Sequence, residues 1–284
     1  MSATVRSALR PPLARSTVLT HLLLVLGGVV MVFPVLWMVS TSFKPPTEVL
    51  LWPPPLLPLQ PTLANYATVF DTIPIGRYFL NSVVISLVST LCVVATSLVA
   101  GYVFAKFSFP GRDVFFFVIL LTAIVPFESY MAPLYLQMVQ IKWINTYMGV
   151  IAPYALMAFG VFLMRQHMRS AIPDELLDAA RIDGASEWRI FWSIVLALSL
   201  PAVGALGIFA FIQAWAAFLW PLLVANKTDL FNLELGLNAF QFRYSVDYGP
   251  LMAGSVLSVL PMVLVFLVLR RQIIDSAAIS GLRG

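Results

Sequence analysis

Long apolar runs alternate with short polar interruptions along almost the whole chain. Six such runs stand out, at about Val18–Val39, Phe79–Phe104, Val114–Leu134, Tyr147–Met164, Ile190–Asn226 and Leu251–Leu269. Each is near or above the ~20 helical residues that cross a ~30 Å hydrocarbon core. The pattern predicts an all-α integral membrane protein with six transmembrane helices. Proline marks the irregular places, because it cannot donate a backbone hydrogen bond or continue a helix. The stretch KPPTEVLLWPPPLLPLQP, residues 44–61, therefore reads as a loop, and Pro126 and Pro133 lie inside the third run. The fifth run holds no charged residue from Ile190 to Asn226. One straight helix of that length would measure ~55 Å. Pro201 and Pro221 are expected to break or bend it, with part projecting from the bilayer.

One polar interruption is unlike the others. IPDELLDAARIDGASEWRIF, residues 172–191, concentrates Asp174, Glu175, Asp178, Arg181, Asp183, Glu187 and Arg189 between two apolar runs. Pro173 suits the first position of a helix, where a missing N–H costs nothing. Asp174 and Glu175 then fall in the first turn, where the helix dipole favours anions. Gly184 stands where a left-handed residue would stop the helix, and Ser186 can cap the next one. The loop thus reads as helix, glycine break, helix. Leu176, Leu177, Ala180 and Ile182 would form an apolar side that no lipid-spanning role demands. Two readings fit that side, a helix lying on the bilayer surface or a docking knob for a cytoplasmic partner.

Composition narrows the class. Hydrophobic residues make up 60% of the 284 and charged residues 11%, against about 25% charged in soluble domains. The mean hydropathy is +0.92. The net charge of +4 reports orientation rather than nucleic-acid binding, because Lys and Arg gather in cytoplasmic loops. With a cytoplasmic N-terminus, Arg6, Arg10, Arg15, Lys106, Arg112, Arg165, Arg169, Arg181, Arg189, Arg270, Arg271 and Arg283 fall inside. Lys44, Arg77, Lys142, Lys227 and Arg243 fall outside. That bias puts the charged loop, and both termini, in the cytoplasm. The basic residues ahead of Val18 resemble a signal peptide, but the run is long and no small-residue cleavage site follows, so a retained anchor is expected.

Catalytic chemistry is not in evidence. No Gly-Lys pair occurs, so no phosphate-cradling loop can form. Neither His21 nor His167 has a metal-ligand residue type at i+4, and Cys92 is the one cysteine. Glu128 is the single acid within an apolar run and should face water, the bundle or a partner, since a charge in lipid is costly. Asn81, Gln137 and Gln213 are weaker polar positions of the same kind, and polar residues of this sort also join helices. Glu128, Asn81 and Gln213 are candidate contacts for a transported solute. Trp143, Trp215 and Trp220 fit interface belts or a sugar path.

DAARIDGA, residues 178–185, followed by ALSLP ending at Pro201, resembles the EAA loop of permeases from binding-protein-dependent ABC importers. That pattern is Glu-Ala-Ala, a glycine four residues on, and a later Ile-x-Leu-Pro. Asp178 takes the Glu place and Ala197 stands where a first proline is common. SFKP (42–45), NSVVIS (81–86), AGYVFAKFSFPGR (100–112), NTYMGVI (145–151), FLWPLLVAN (218–226) and GLRG (281–284) resemble the carbohydrate-uptake, maltose-transporter-like branch. Ala216 and Ala217 stand where many relatives have polar or acidic residues.

The resemblance implies a cytoplasmic tail at 1–16 and a permease domain at 17–284, with its core at about 75–271 and its EAA-type loop at 172–201. It implies a coupling helix between helices 4 and 5, carried by Glu175, Leu176, Leu177, Asp178, Ala179, Ala180, Asp183 and Gly184. The expected partners are a second permease in a heterodimer, a cytoplasmic ABC ATPase dimer, an extracytoplasmic solute-binding protein and the lipid bilayer, with no nucleic acid. The chain itself is expected to bind no cofactor, ATP and Mg residing on the ATPase. The expected place is the bacterial inner or plasma membrane, and the expected cargo a sugar or related polar solute, glycerophosphodiesters included. An ion-coupled secondary transporter or channel is the rival, but such proteins show paired intramembrane charges or inverted repeats that this sequence lacks.

Overall fold

The computed structural model describes residues 13–241 and 246–281. Residues 1–12 of the tail, Arg243, Arg283 and most of the closing GLRG lie outside them. The described residues are helical, with no extended strand among them. In chain order the α-helices are α1 (Leu13–Ser42), α2 (Pro46–Val49), α3 (Ala64–Thr72), α4 (Ile75–Lys106), α5 (Arg112–Thr122), α6 (Phe127–Gln140) and α7 (Tyr147–Ile151). They continue with α8 (Ala158–Ala171), α9 (Asp174–Ile182), α10 (Glu187–Ile190), α11 (Leu196–Trp215), α12 (Leu219–Val224), α13 (Leu233–Leu237) and α14 (Tyr248–Gly281). Among the described residues, four helical segments are long and apolar enough to cross a membrane: Val18–Ser42, Ile75–Lys106, Glu187–Trp215 and Tyr248–Val268. Two further pairs qualify jointly but are bent, α5 with α6 by 96° and the 147–154 segment with α8 by 47°.

The third and fourth apolar runs are therefore interrupted rather than straight. Pro126 precedes α6, and its ring forces residue 125 away from helical geometry. Pro133, by contrast, sits inside α6. The fifth run also differs from expectation. Pro201 lies within α11 without ending it, and the chain leaves helical geometry at Ala216–Phe218 before Pro221 enters α12. A π-helical turn at Phe191–Val195 joins α10 to α11. The 44–61 loop is irregular except for α2, whose Pro46 occupies the first turn.

The chain divides into two units, Met1–Val69 with Phe242–Val256 and Phe70–Gln241 with Leu257–Gly284. In the first unit, the end of α1 is tied to α3 by one asparagine. Asn65 Nδ2 donates to the carbonyls of Ser42 and Lys44, both at 2.8 Å. The buried Glu48 carboxylate accepts from the backbone N–H groups of Leu59 and Gln60, at 2.8 and 2.9 Å, which closes the proline-rich loop. Lys44 is buried with its ammonium 4.1 Å from the centre of the Trp37 ring.

In the second unit α4 packs against α8 and α11. Small residues let these helices approach, as is usual where lipid supplies no hydrophobic drive between helices. A Cβ on Gly101 would stand 2.6 Å from Met164 Cβ, and one on Gly160 would collide with Ser97 Oγ. Apolar clusters result, two of them formed by described residues of this unit. One joins Leu98, Tyr102, Met164, Met168, Leu177 and Ile190. The other gathers Ile85, Val150, Ile151, Trp220, Val224 and Leu235.

Candidate functional site

Two places in the second unit concentrate chemistry. The first is a cavity of about 900 Å³. Its wall comes from three short stretches, Thr122–Tyr130, Pro153–Phe159 and Gln213–Leu219. Each stretch spans one helix interruption: the break between α5 and α6, the break ahead of α8, and the break between α11 and α12. Non-helical backbone at membrane depth is tolerated where it is buried in protein or lines a water-filled space. Three interruptions converging on one cavity fit that rule.

Aromatic packing holds the wall in place. Phe127 meets Tyr130 edge-on at 5.2 Å, Tyr154 face to face at 6.4 Å and Trp220 edge-on at 5.9 Å. Trp220 is fully buried and its indole N–H donates to the Gly149 carbonyl at 2.8 Å. Asn145, with φ +58°, accepts at Oδ1 from the N–H groups of Asn226 and Lys227 and so pins the chain after α12. Glu128 lies in the first turn of α6, where the helix dipole favours its charge, and Gln213 lies near the end of α11. Both line the cavity, as do Ala216 and Ala217.

Asn81 does not line it, which corrects the expectation for that residue. It is buried, its amide N–H groups donate to the carbonyls of Asp229 and Phe231 at 2.8 Å each, and its Oδ1 accepts from the Tyr147 hydroxyl. A buried amide so fully engaged stays with its backbone partners. Gln137 is exposed outside the cavity. Trp215 and Trp220 are also corrected. Both are fully buried and hydrogen-bonded, Trp215 to the Ser258 carbonyl, so neither serves an interface belt or the cavity surface. Sequence reasoning missed Tyr130, Tyr154, Phe159 and Phe218 as wall residues, and the helix breaks around Pro126 and Pro153 were the available signal.

The second place is the charged loop. α9 covers Asp174–Ile182, and Pro173 precedes it in extended conformation rather than occupying its first turn. Gly184 has φ +83°, and the N–H of Ala185 reaches back to the Ala180 carbonyl at 3.0 Å, which closes the helix end. Ser186 Oγ accepts from the Arg189 N–H at 3.4 Å at the start of α10. The expected apolar side is divided. Leu177 is 1% exposed and Ala180 packs beside it on the core, whereas Leu176 and Ile182 are 41% and 86% exposed. Ile182 lies roughly 140° around the helix from Leu177 at 100° per residue, so the two cannot share a face. Glu175, Asp178, Ala179 and Asp183 are exposed, as is Gly184.

The loop is braced from within. Tyr102 on α4 donates to Glu187 Oε2 at 2.8 Å. Arg181 spans the glycine break, with Nε 2.7 Å from Glu187 Oε1 and Nη1 2.7 Å from Asp178 Oδ1. The two carboxylates, Glu187 more than Asp178, hold the Arg181 guanidinium above its usual range. Lys106, at the end of α4, pairs with Asp174 at 2.6 Å and also reaches the Ile172 carbonyl. Nearby, Arg165 stacks 4.0 Å from the Phe116 ring centre and pairs with Asp113 at 3.3 Å. No group of three or more His, Cys, Asp or Glu that could hold a metal occurs among the described residues.

Residues 97–275 match the family described as binding-protein-dependent transport system inner membrane component. The chain is 36% identical over 260 residues to the arabinooligosaccharides transport system permease protein AraQ of Halalkalibacterium halodurans, covering 89% of this chain and 91% of that protein. It is 34% identical over 268 residues to the diacetylchitobiose uptake system permease protein NgcG of Streptomyces coelicolor, covering 93% and 88%. Its fold is shared with a chain of a bacterial ABC transporter involved in the import of the acidic polysaccharide alginate. The TM-score there is 0.79 at 21% identity, over 92% of this chain and 99% of that one.

Proposed function

This chain belongs to the family of binding-protein-dependent transport system inner membrane components, and from that premise we propose how its two sites work together. It is a multi-pass, non-catalytic permease subunit of an ABC importer for carbohydrate uptake. In our reading the chain crosses the membrane six times, with α5–α6 and the 147–171 segment each counting as one bent span. Both termini and the 172–201 loop lie in the cytoplasm, as the Lys and Arg bias implies. The permease domain runs from 17 to 284. A second permease completes the path, a solute-binding protein delivers the cargo outside, and an ATPase dimer that carries ATP and Mg docks α9 inside.

Convergence of three helix interruptions on one cavity carries this reading. Glu128 and Gln213 meet the solute there. At the other end the exposed Leu176, Asp178 and Gly184 offer the coupling surface, while Leu177 and Ala180 transmit its movement to the core formed by α4, α8 and α11. Arabinooligosaccharide and diacetylchitobiose relatives support a neutral oligosaccharide as cargo, and a relative named for sn-glycerol-3-phosphate transport supports a glycerophosphodiester or related glycerol phosphate as the alternative.

The test is uptake in cells carrying or lacking this chain, using radiolabelled neutral oligosaccharides and glycerophosphodiesters. ATP-driven import should survive a protonophore in vesicles supplied with ATP and stop with vanadate. Import that a protonophore abolishes and vanadate spares would instead indicate ion coupling.

A further inference from the structure

The composition of the cavity wall carries a statement about charge. Glu128 is its one carboxylate, and no Lys, Arg or His joins it among the described residues. The remaining polar groups are neutral: Thr122, Tyr130, Tyr154 and Gln213. An ionised carboxylate only accepts hydrogen bonds, so it matches hydroxyl, amide or ammonium donors and has nothing to offer a phosphate or uronate oxygen. Aromatic side chains supply much of the rest, Tyr130, Phe159 and Phe218 being 41%, 40% and 36% exposed. Pockets of this kind bury the ligand against rings and orient it with a few polar groups. Low-dielectric walls also focus the field of a single charge into the space they enclose.

We propose that this wall selects neutral or amine-bearing carbohydrate and turns away anionic solutes, with Glu128 as the residue that sets the preference. The proposal rests on the cavity being part of the transport path. It favours neutral oligosaccharides and amino sugars over the glycerophosphodiester alternative.

The experiment reads the electrostatic preference without needing the cargo. Cysteine is placed on the wall as Ala216→Cys or Gln213→Cys in a Cys92→Ser background, and the full importer complex is reconstituted in lipid. Modification rates are measured with a cationic trimethylammonium-ethyl and an anionic sulfonatoethyl methanethiosulfonate, each divided by its rate with a free thiol in solution. A single charge on the same wall, at a separation on the order of 10 Å in a partly aqueous site, should make the cation-to-anion ratio about three- to tenfold. Glu128→Asp should keep that ratio, Glu128→Gln should bring it near one, and Glu128→Lys should invert it. A ratio near one with Glu128 present, or one that Glu128→Gln leaves unchanged, overturns the charge preference and spares the transport reading. Such a result would also follow if the second permease supplied a compensating cation, and it would equally sink the proposal. If neither cysteine reacts with either reagent, the wall is not aqueous, and the cavity is lost as a path along with the preference built on it.

Discussion

The cavity wall and the charged loop belong to the same unit but are held by different forces. Around the cavity, the helix ends are held by rings, by the buried Trp220 and Asn81, and by the half-buried Asn145, whose hydrogen bonds go to backbone groups of neighbouring segments. Around the loop, exposed carboxylates and guanidinium groups form the bracing, and a single buried leucine, Leu177, fastens α9 to the core. Buried packing and buried hydrogen bonds are costly to remove, whereas exposed ion pairs are worth little each. The cavity should therefore tolerate substitution poorly in its supports. The loop should tolerate it well in stability and poorly in function.

Trp220→Ala is the most severe test of that contrast. The side chain is fully buried, touches Phe127 and donates to Gly149. Truncating a buried Trp typically costs about 3–5 kcal/mol. Trp220→Phe keeps most of the packing and loses only the indole N–H, which should cost about 1–2 kcal/mol. Thermal unfolding of the purified permease in detergent measures both. If Trp220→Ala proved no worse than removing Glu187 or Asp178, the two regions would not differ as described.

The same contrast explains what could be read in advance. The loop announces itself because its signals are local: acids in a first turn, a glycine at a helix stop and a serine at a helix start lie within fifteen residues of one another. Gly184 at φ +83° and Ser186 as a cap follow directly from that chemistry. The cavity is assembled from stretches about thirty and sixty residues apart, and only Glu128 among its residues stands out by charge. Helix phase decided two further cases. Leu176, Leu177, Ala180 and Ile182 are all apolar, but a pitch of 3.6 residues separates them onto different faces. Proline was an uneven guide as well. Pro126 stands at a sharp break, directly before α6, while Pro201 lies inside α11, a helix that packs against both α4 and α8.

Next in size is Gly184→Leu. A Cβ at this position meets nothing within 4 Å, so the substitution causes no steric clash. The cost is the positive φ alone, about 1–2 kcal/mol for a branched side chain. Gly184→Asn should cost less, since asparagine visits the left-handed region more readily. We expect the leucine variant to insert and accumulate normally while uptake fails, and the asparagine variant to retain part of the uptake. Full uptake by the leucine variant at normal abundance would remove the hinge from the coupling surface.

Tyr102→Phe tests the tie between α4 and the loop. It deletes the hydroxyl that donates to Glu187 at 2.8 Å and leaves the Arg181 contact in place. The expected loss is about 1 kcal/mol in unfolding free energy. Because Tyr102 is buried in the core cluster, a change in ATP-driven uptake larger than that stability loss predicts would mark the tie as part of force transmission.

Asp178 carries the smallest expected effect and separates two meanings of its charge. It is exposed, and one oxygen lies 2.7 Å from Arg181 Nη1. Arg181 does not depend on it, because Glu187 holds the same guanidinium from the other side of the glycine break. Removing Asp178 therefore leaves no orphaned charge, and an exposed pair at i, i+3 contributes under about 1 kcal/mol. A double-mutant cycle of Asp178→Asn with Arg181→Met should give a small coupling energy in the isolated permease. The cycle of Glu187→Gln with Arg181→Met should give a larger one. Docking predicts a different ranking in the full complex. There Asp178→Glu, which keeps the charge, should retain the ATPase through detergent purification, and Asp178→Lys, which sets a second cation beside Arg181, should lose it. If both variants retain the ATPase equally, the carboxylate acts only as an internal brace. Docking would then fall to the exposed Leu176 and Ile182, which the core leaves uncovered.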